Sequence, residues 1–361
     1  MPSPRAESPR PTIVDVARAS GVSKSLVSLA LSGKPGVSDA SRARIRQVAD
    51  ELGYISNTWA RSLVEGRTHL VGVVTTDVGS TYNTDVVTGI EDEAAESGYG
   101  VLLAHGRRDP EQLSRGVERM LQLGVDGLIV VSSRVPRQKL ENAARKRPVV
   151  VVGRPDDASD LVDIIRNDDE LGGRLAVEHL ARCGHRRIGY VATSTRAAVR
   201  ARGLAYERTM TDLGLDYRWH MARTASHDQT FAGLVVQSLR GEPADRRPTA
   251  LFVSTDETAI AVLGAALDAG LRVPGDLALV GYNNSAIATA IRPTLTSIDQ
   301  PRNRMGSLAV SLLQERLSGR TRQRVEVMTP HLEVRASSGP WGQVHGRGRS
   351  AEPVDTRLGP S

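Results

Sequence analysis

Thr12-Ile13-Val14-Asp15-Val16-Ala17-Arg18-Ala19-Ser20-Gly21-Val22-Ser23-Lys24-Ser25-Leu26-Val27-Ser28 reads as two short helices separated by one glycine. Thr12 with Asp15 three residues later is a capping-box pattern. Ile13, Val16, Ala17 and Ser20 then recur at helical spacing and make a small, mostly apolar face. Gly21 breaks that helix, because glycine turns there without steric cost. Ser23 restarts a helix as its N-cap, and Val27, Ala30 and Leu31 give the inner face. Gly33, Pro35 and Gly36 end it. Ser38 caps a third helix, whose Arg42, Ile45, Val48, Ala49 and Leu52 run to a stop at Gly53. Three short helices with a tight glycine turn between the first two predict a helix-turn-helix unit.

The chemistry of such a unit follows from its geometry. A helix entering the major groove reads base edges from its first turns, which places Lys24, Ser25 and Leu29 toward the bases. The hydroxyls of Thr12, Ser23 and Ser28 are placed to hold phosphates, and helix N-termini add partial positive charge. Ser38 is read as a cap only; for Ser23, capping and phosphate contact are compatible. Charge points the same way. Residues 1–68 carry ten Lys/Arg against six Asp/Glu, whereas residues 69–338 carry 34 against 33. The excess sits on the first part of the chain, where a polyanion would be met, although solvated surface charge is the simpler alternative.

The remaining composition narrows the function classes. A length of 361 residues suits two or three domains, and 40% hydrophobic residues suffice for buried cores. With aromatics at 3%, Val, Leu, Ile and Ala must fill those cores. Cys183 is the single cysteine, which excludes an intrachain disulfide framework and offers no metal cluster. No run approaches the roughly 18 apolar residues of a membrane span, and the polar arm 1–11 is no signal sequence, so a cytoplasmic protein is expected. No nucleophile elbow, Walker loop, paired-histidine metal motif or Gly-x-Gly-x-x-Gly fingerprint occurs, so neither an enzyme nor a bound cofactor is expected.

From His69 onward, short apolar runs alternate with helical patterns. Residues 70–74, 99–104, 127–131 and 149–152 read as buried parallel strands, with helices over 84–97, 110–123 and 136–146. A second series has strands over 188–192, 250–254 and 277–281, with helices over 170–182, 203–213, 228–240 and 257–269, and a return through 295–318. The fold class expected is a small all-α helix-turn-helix head plus an α/β core of two doubly wound parallel-sheet lobes. Ligands of such sheets bind beyond the carboxyl ends of the strands. The candidate residues there are Asp77 to Asn83, Arg154, Asp168-Asp169, Ser194 to Arg202, Thr255-Asp256 and Tyr282 to Asn284.

The run 12–28, with Val37-Ser38, Arg42, Ile45 and Leu52-Gly53-Tyr54-Ile55-Ser56-Asn57 after it, resembles the head of the LacI/GalR repressor family. The resemblance extends through Val71-Gly72-Val73-Val74, Gly89-Ile90-Glu91, Val125-Asp126-Gly127, Gly184-His185-Arg186-Arg187-Ile188 and Val280-Gly281-Tyr282 of the core, which is also similar to periplasmic sugar-binding proteins. It implies a DNA-binding head 12–55, a hinge 56–68 and an effector-binding and dimerisation core 69–338; the polar arm 1–11 and the tail 339–361, rich in Gly, Arg, Ser and Pro, are expected to be disordered from their composition. It implies that the hinge, with Asn57, Ala60 and Leu63, turns helical on operator DNA and that Leu63 wedges into the minor groove.

In the core the resemblance implies an effector site of Tyr82, Asn83, Arg154, Arg202, Asp256 and Asn283. Three of these have a plainer use: Tyr82 as core, Asp256 as a helix cap, Arg202 as surface charge. Departures from the family pattern are Ser56 in place of proline, Leu29 in place of an arginine, Thr255 in place of asparagine and Asn283 in place of aspartate. Asn283 offers a donor as well as an acceptor, so an ordinary neutral sugar is put in question. The expected partners are palindromic double-stranded operator DNA, a small-molecule effector (a sugar or related metabolite) and a second copy of the chain, with a tetramer left open. The competing expectation is a cytoplasmic solute-binding protein without regulatory DNA binding.

Overall fold

The computed structural model describes residues 11–54, 66–192, 194–215, 219–222 and 229–339. Asn57, Ala60 and Leu63 of the hinge lie outside the described residues, as do the arm before Pro11 and the tail beyond Gly339. The chain divides into two compact units, Met1–Thr68 and His69–Ser361.

The first unit holds α1 (Ile13–Ser20), α2 (Lys24–Leu31) and α3 (Asp39–Glu51). Asp15 accepts hydrogen bonds from the Thr12 backbone N–H (2.9 Å) and hydroxyl (2.7 Å), which hold its carboxyl below the usual range. Gly21 takes φ 70°, the left-handed conformation that ends α1. Val16, Ala17, Val27, Ala30, Ile45 and Ala49 form one small core. Arg42 does more than its helical spacing suggests. Its guanidinium donates to the carbonyls of Ala30 (3.0 Å) and Lys34 (2.9 Å), so α3 satisfies the otherwise open C-terminal end of α2.

In the second unit, one lobe has a six-stranded sheet in the order β11-β5-β4-β3-β1-β2. Its strands are β1 (Leu70–Thr75), β2 (Gly100–His105), β3 (Gly127–Val131), β4 (Val149–Val152), β5 (Asp163–Asn167) and β11 (Val325–Met328). The four valines of β4 are all buried, as a central parallel strand requires. α4 (Thr81–Glu96) and α12 (Arg302–Leu317) enclose one hydrophobic layer of this lobe; α5 (Pro110–Gln122) and α6 (Arg137–Ala144) enclose the other.

The second lobe repeats the plan in the order β12-β10-β9-β8-β6-β7. Here the strands are β6 (Ile188–Ala192), β7 (Trp219–Ala222), β8 (Ala250–Val253), β9 (Ala278–Asn283), β10 (Thr296–Asp299) and β12 (His331–Glu333). α7 (Asp169–Arg182) and α8 (Ala197–Asp212) cover one face, α9 (Gln229–Gly241) and α10 (Asp256–Asp268) the other, and the short α11 (Ala286–Ala290) follows β9. The chain passes between lobes at β5 to α7, β10 to α12 and β11 to β12.

Two details of the expected strands are corrected. β2 is an edge strand rather than a buried one, with Leu103 45% exposed. β12 runs antiparallel to β10, so the second sheet is not wholly parallel. Aliphatic residues fill most of both lobes, as the composition predicts, and four aromatics cluster in the second: Tyr190 lies 5.6 Å from Tyr206 and 5.2 Å from Phe252, and Phe252 lies 6.3 Å from Tyr282.

Candidate functional site

In the head, Ser23 is the N-cap of α2, accepting from the Leu26 N–H at 3.2 Å, and Ser38 caps α3 in the same way. Lys24, Ser25 and Ser28 are exposed along α2, and Leu29 is half-buried. The Thr12 hydroxyl is donated to Asp15 but remains on the surface. An exposed Lys24 beside the N-terminus of a capped helix offers positive charge and free backbone donors to an anion.

In the core, the carboxyl ends of both sheets meet in an interlobe region rich in arginine. Arg202 lies within α8 rather than in a loop, because the helix starts at Ala197, six residues before the pattern suggested. It is 6% exposed, with Nε 2.9 Å from Asp169 and one terminal nitrogen 2.7 Å from the Ser254 carbonyl. Its guanidinium carbon sits 3.5 Å above the centre of the Tyr282 ring. Burial works against the charge of Arg202, but Asp169 and the Tyr282 ring raise its pKa overall, so it stays cationic.

The first lobe supplies the opposite wall. Asn83 donates to the Asp77 carbonyl at 2.7 Å, and Asp77 accepts from Arg108 at 2.8 Å. Tyr82 is half-buried; burial and the charge of Asp169 push its phenol up to about 12, so it remains neutral and can donate. Arg154 reaches the second lobe and grips Glu170 through both terminal nitrogens, at 3.1 and 2.8 Å. Asn167, at the end of β5, donates to the Tyr282 hydroxyl at 2.6 Å.

Asp256 and Asn283 are placed differently from each other. The cap of α10 is Thr255, whose hydroxyl accepts from Thr258. Asp256 is 0% exposed and accepts from the Ser285 N–H (2.6 Å), the Ser285 hydroxyl (2.9 Å) and the Ser297 hydroxyl (2.6 Å). It ties α10 to the segments after β9 and in β10; the reading of it as the helix cap is replaced by this role. Asn283 is 6% exposed, adopts a positive φ of 110° and accepts from Gln300 at 2.7 Å.

Sequence reasoning missed Arg302 and Arg134. Arg302 donates to Asp85 (2.9 Å) and to the Asn284 carbonyl (3.0 Å), bridging the lobes. It follows β10, a strand too short and polar at its end to be resolved from its pattern. Among the described residues no three His, Cys, Asp or Glu side chains gather as for a metal ion, and no helix is long and apolar enough to cross a membrane.

Comparison with known proteins places both units. Residues 12–57 match the model of bacterial regulatory proteins, lacI family, and residues 177–338 match a periplasmic binding protein-like domain. Catabolite control protein A of Priestia megaterium is 31% identical over 330 residues, 91% of this chain and 99% of that protein. The ribose operon repressor of Escherichia coli K12 is 31% identical over 334 residues, again 91% and 99%. The solved structure of the Lac repressor dimer bound to operator and the anti-inducer ONPF aligns with a TM-score of 0.77 at 25% identity, over 91% of this chain and 99% of that one. Identity of this level along nine-tenths of both chains, head and core together, means that the protein belongs to the lacI family of bacterial regulatory proteins.

Proposed function

We propose that the chain is a cytoplasmic, homodimeric repressor of transcription whose heads bind a palindromic operator and whose core binds a small-molecule effector between its lobes. Lys24, Ser25 and Leu29 meet base edges, and Thr12, Ser23 and Ser28 hold phosphates. Asn57, Ala60 and the Leu63 wedge of the hinge engage the minor groove. Two heads on a two-fold dimer match a two-fold site, which makes the dimer sufficient without a tetramer. Tyr82, Asn83, Arg154, Arg202 and Asn283 form the effector site, with Asp256 buttressing its far wall. Closure of the lobes on the effector alters the hinge and thereby DNA affinity. Linkage makes the effect reciprocal, typically about 1–3 kcal/mol.

The observation that carries this reading is the pairing, in one chain, of an exposed Lys24–Ser25–Ser28 surface on a capped helix with an interlobe site bearing the buried Arg202. Its test is a gel-shift and bending assay on a recovered operator. Lys24→Ala is expected to weaken operator binding by about 1–3 kcal/mol and non-specific binding by less, and Leu63→Ala to reduce bending. Equal loss on both DNAs with unchanged bending would refute these roles.

A further inference from the structure

The arginines around the interlobe site are not equivalent. Arg202 has Asp169, Arg108 has Asp77, Arg154 has Glu170 and Arg302 has Asp85 as carboxylate partners. Among the described residues, no carboxylate stands within ion-pair distance of Arg134 or Arg196. Arg134 follows β3 in the first lobe; one terminal nitrogen donates to the Arg108 carbonyl at 2.9 Å, and its buried Nε has no partner among the described residues. Arg196 follows β6 in the second lobe; its Nε donates to the Ser194 hydroxyl at 3.0 Å, and its terminal nitrogens meet no acceptor among the described residues. The two charges act on each other across the lobes: burial, then Arg134, Arg202 and Arg108, pull the pKa of Arg196 down to about 10, and it remains cationic at neutral pH.

Two half-buried guanidiniums with no counter-charge among the described residues, one from each lobe, destabilise the empty site and repel one another. A group that carries negative charge and several acceptor oxygens removes both penalties at once. A guanidinium offers its donors as a planar fork that matches such a group. We propose that the effector is an anion, a hydroxylated metabolite bearing a carboxylate or phosphate that Arg134 and Arg196 grip together between the lobes. The shared chemistry is the oxyanion; Arg202, Asn83 and Asn283 are left to the hydroxylated part. Such a ligand draws the lobes together through charge, because each lobe supplies half of its counter-charge. This inference rests on the interlobe effector site proposed above and narrows its ligand class.

The test is thermal melting of the full chain at constant ionic strength, titrated with inorganic phosphate, malonate, D-glucose or chloride alone. Phosphate or malonate is expected to raise Tm by roughly 2–4 °C at about ten times its Kd. The stronger of the two identifies a phosphate or a carboxylate ligand. Arg134→Gln and Arg196→Gln are each expected to weaken that binding at least tenfold, while the surface control Arg115→Gln leaves it unchanged. No anion-specific rise, or a rise that survives the Arg134→Gln/Arg196→Gln double variant, overturns the proposal. A response to glucose lost in Arg202→Gln but kept in the double variant overturns the anion while leaving the interlobe site standing. Operator binding by the same preparations is read separately, so a failure of the regulator reading is distinguishable from a failure of the anion.

Discussion

Arg202 and Asp169 carry both structure and the candidate site, so their replacement separates the two. Both side chains are nearly fully buried, at 7% and 2% exposure. Arg202→Ala leaves the Asp169 carboxylate without its closest partner and is expected to cost about 3–5 kcal/mol in urea unfolding. The Arg202→Met/Asp169→Asn double variant is expected to cost clearly less, because no lone charge is left buried. A double variant no more stable than the single one would show that the ion pair itself is not the source of the loss. Asp256 gives a pH signature. Burial raises its carboxyl to about 6 from 3.8, against three donors that pull it down. Its native form therefore holds more protons than its unfolded form between about pH 4 and 6. The stability it contributes is full below pH 4 and is lost as pH rises through 6. Asp256→Asn is expected to flatten that part of the pH–stability curve; an unchanged slope between pH 4 and 6 would contradict the assignment.

At the scale of elements, packing between α4 and α12 fixes the frame of the first lobe. A Cβ on Gly89 would lie 2.0 Å from the Asn303 carbonyl oxygen, and one on Gly306 would lie 2.1 Å from that of Val86. Both obstacles are backbone, so the helices must separate. Gly89→Ala or Gly306→Ala is expected to destabilise the protein by about 3 kcal/mol, whereas Gly264→Ala, with open space within 4 Å in the middle of α10, should be neutral or stabilise by roughly 0.5–1 kcal/mol. Comparable melting temperatures for all three variants would contradict the close approach. Runs such as Val149–Val152 and the glycine stop at Gly21 were legible in the sequence, because burial on both faces and a left-handed turn each demand particular residue types. β5 (Asp-Ile-Ile-Arg-Asn) was not, because its polar residues are satisfied by partners distant in sequence, and the three-residue β12 (His-Leu-Glu) is too short to show a pattern. Asp163, for example, is fully buried between Arg316 and Arg320. The start of α8 was missed because Ala197-Ala198-Val199-Arg200-Ala201-Arg202 offers one large apolar residue among alanines and arginines, too little to mark a helical apolar stripe. Of the site, the residues following strands could be listed by rule, but the pairing of Arg202 with Asp169, and the absence among the described residues of a carboxylate beside Arg134 and Arg196, depend on tertiary contacts.

For the whole molecule, a three-helix head and a two-lobed core in one chain join DNA recognition to ligand recognition, and the family to which the chain belongs is one of regulators rather than enzymes. The most direct test of that account is genome-wide capture of DNA by the purified full chain and by a chain beginning at His69. The account predicts one enriched two-fold-symmetric sequence with the full chain, weakened as salt rises, and none with the shortened chain. No enriched site with the full chain, or the same site with both, would contradict it.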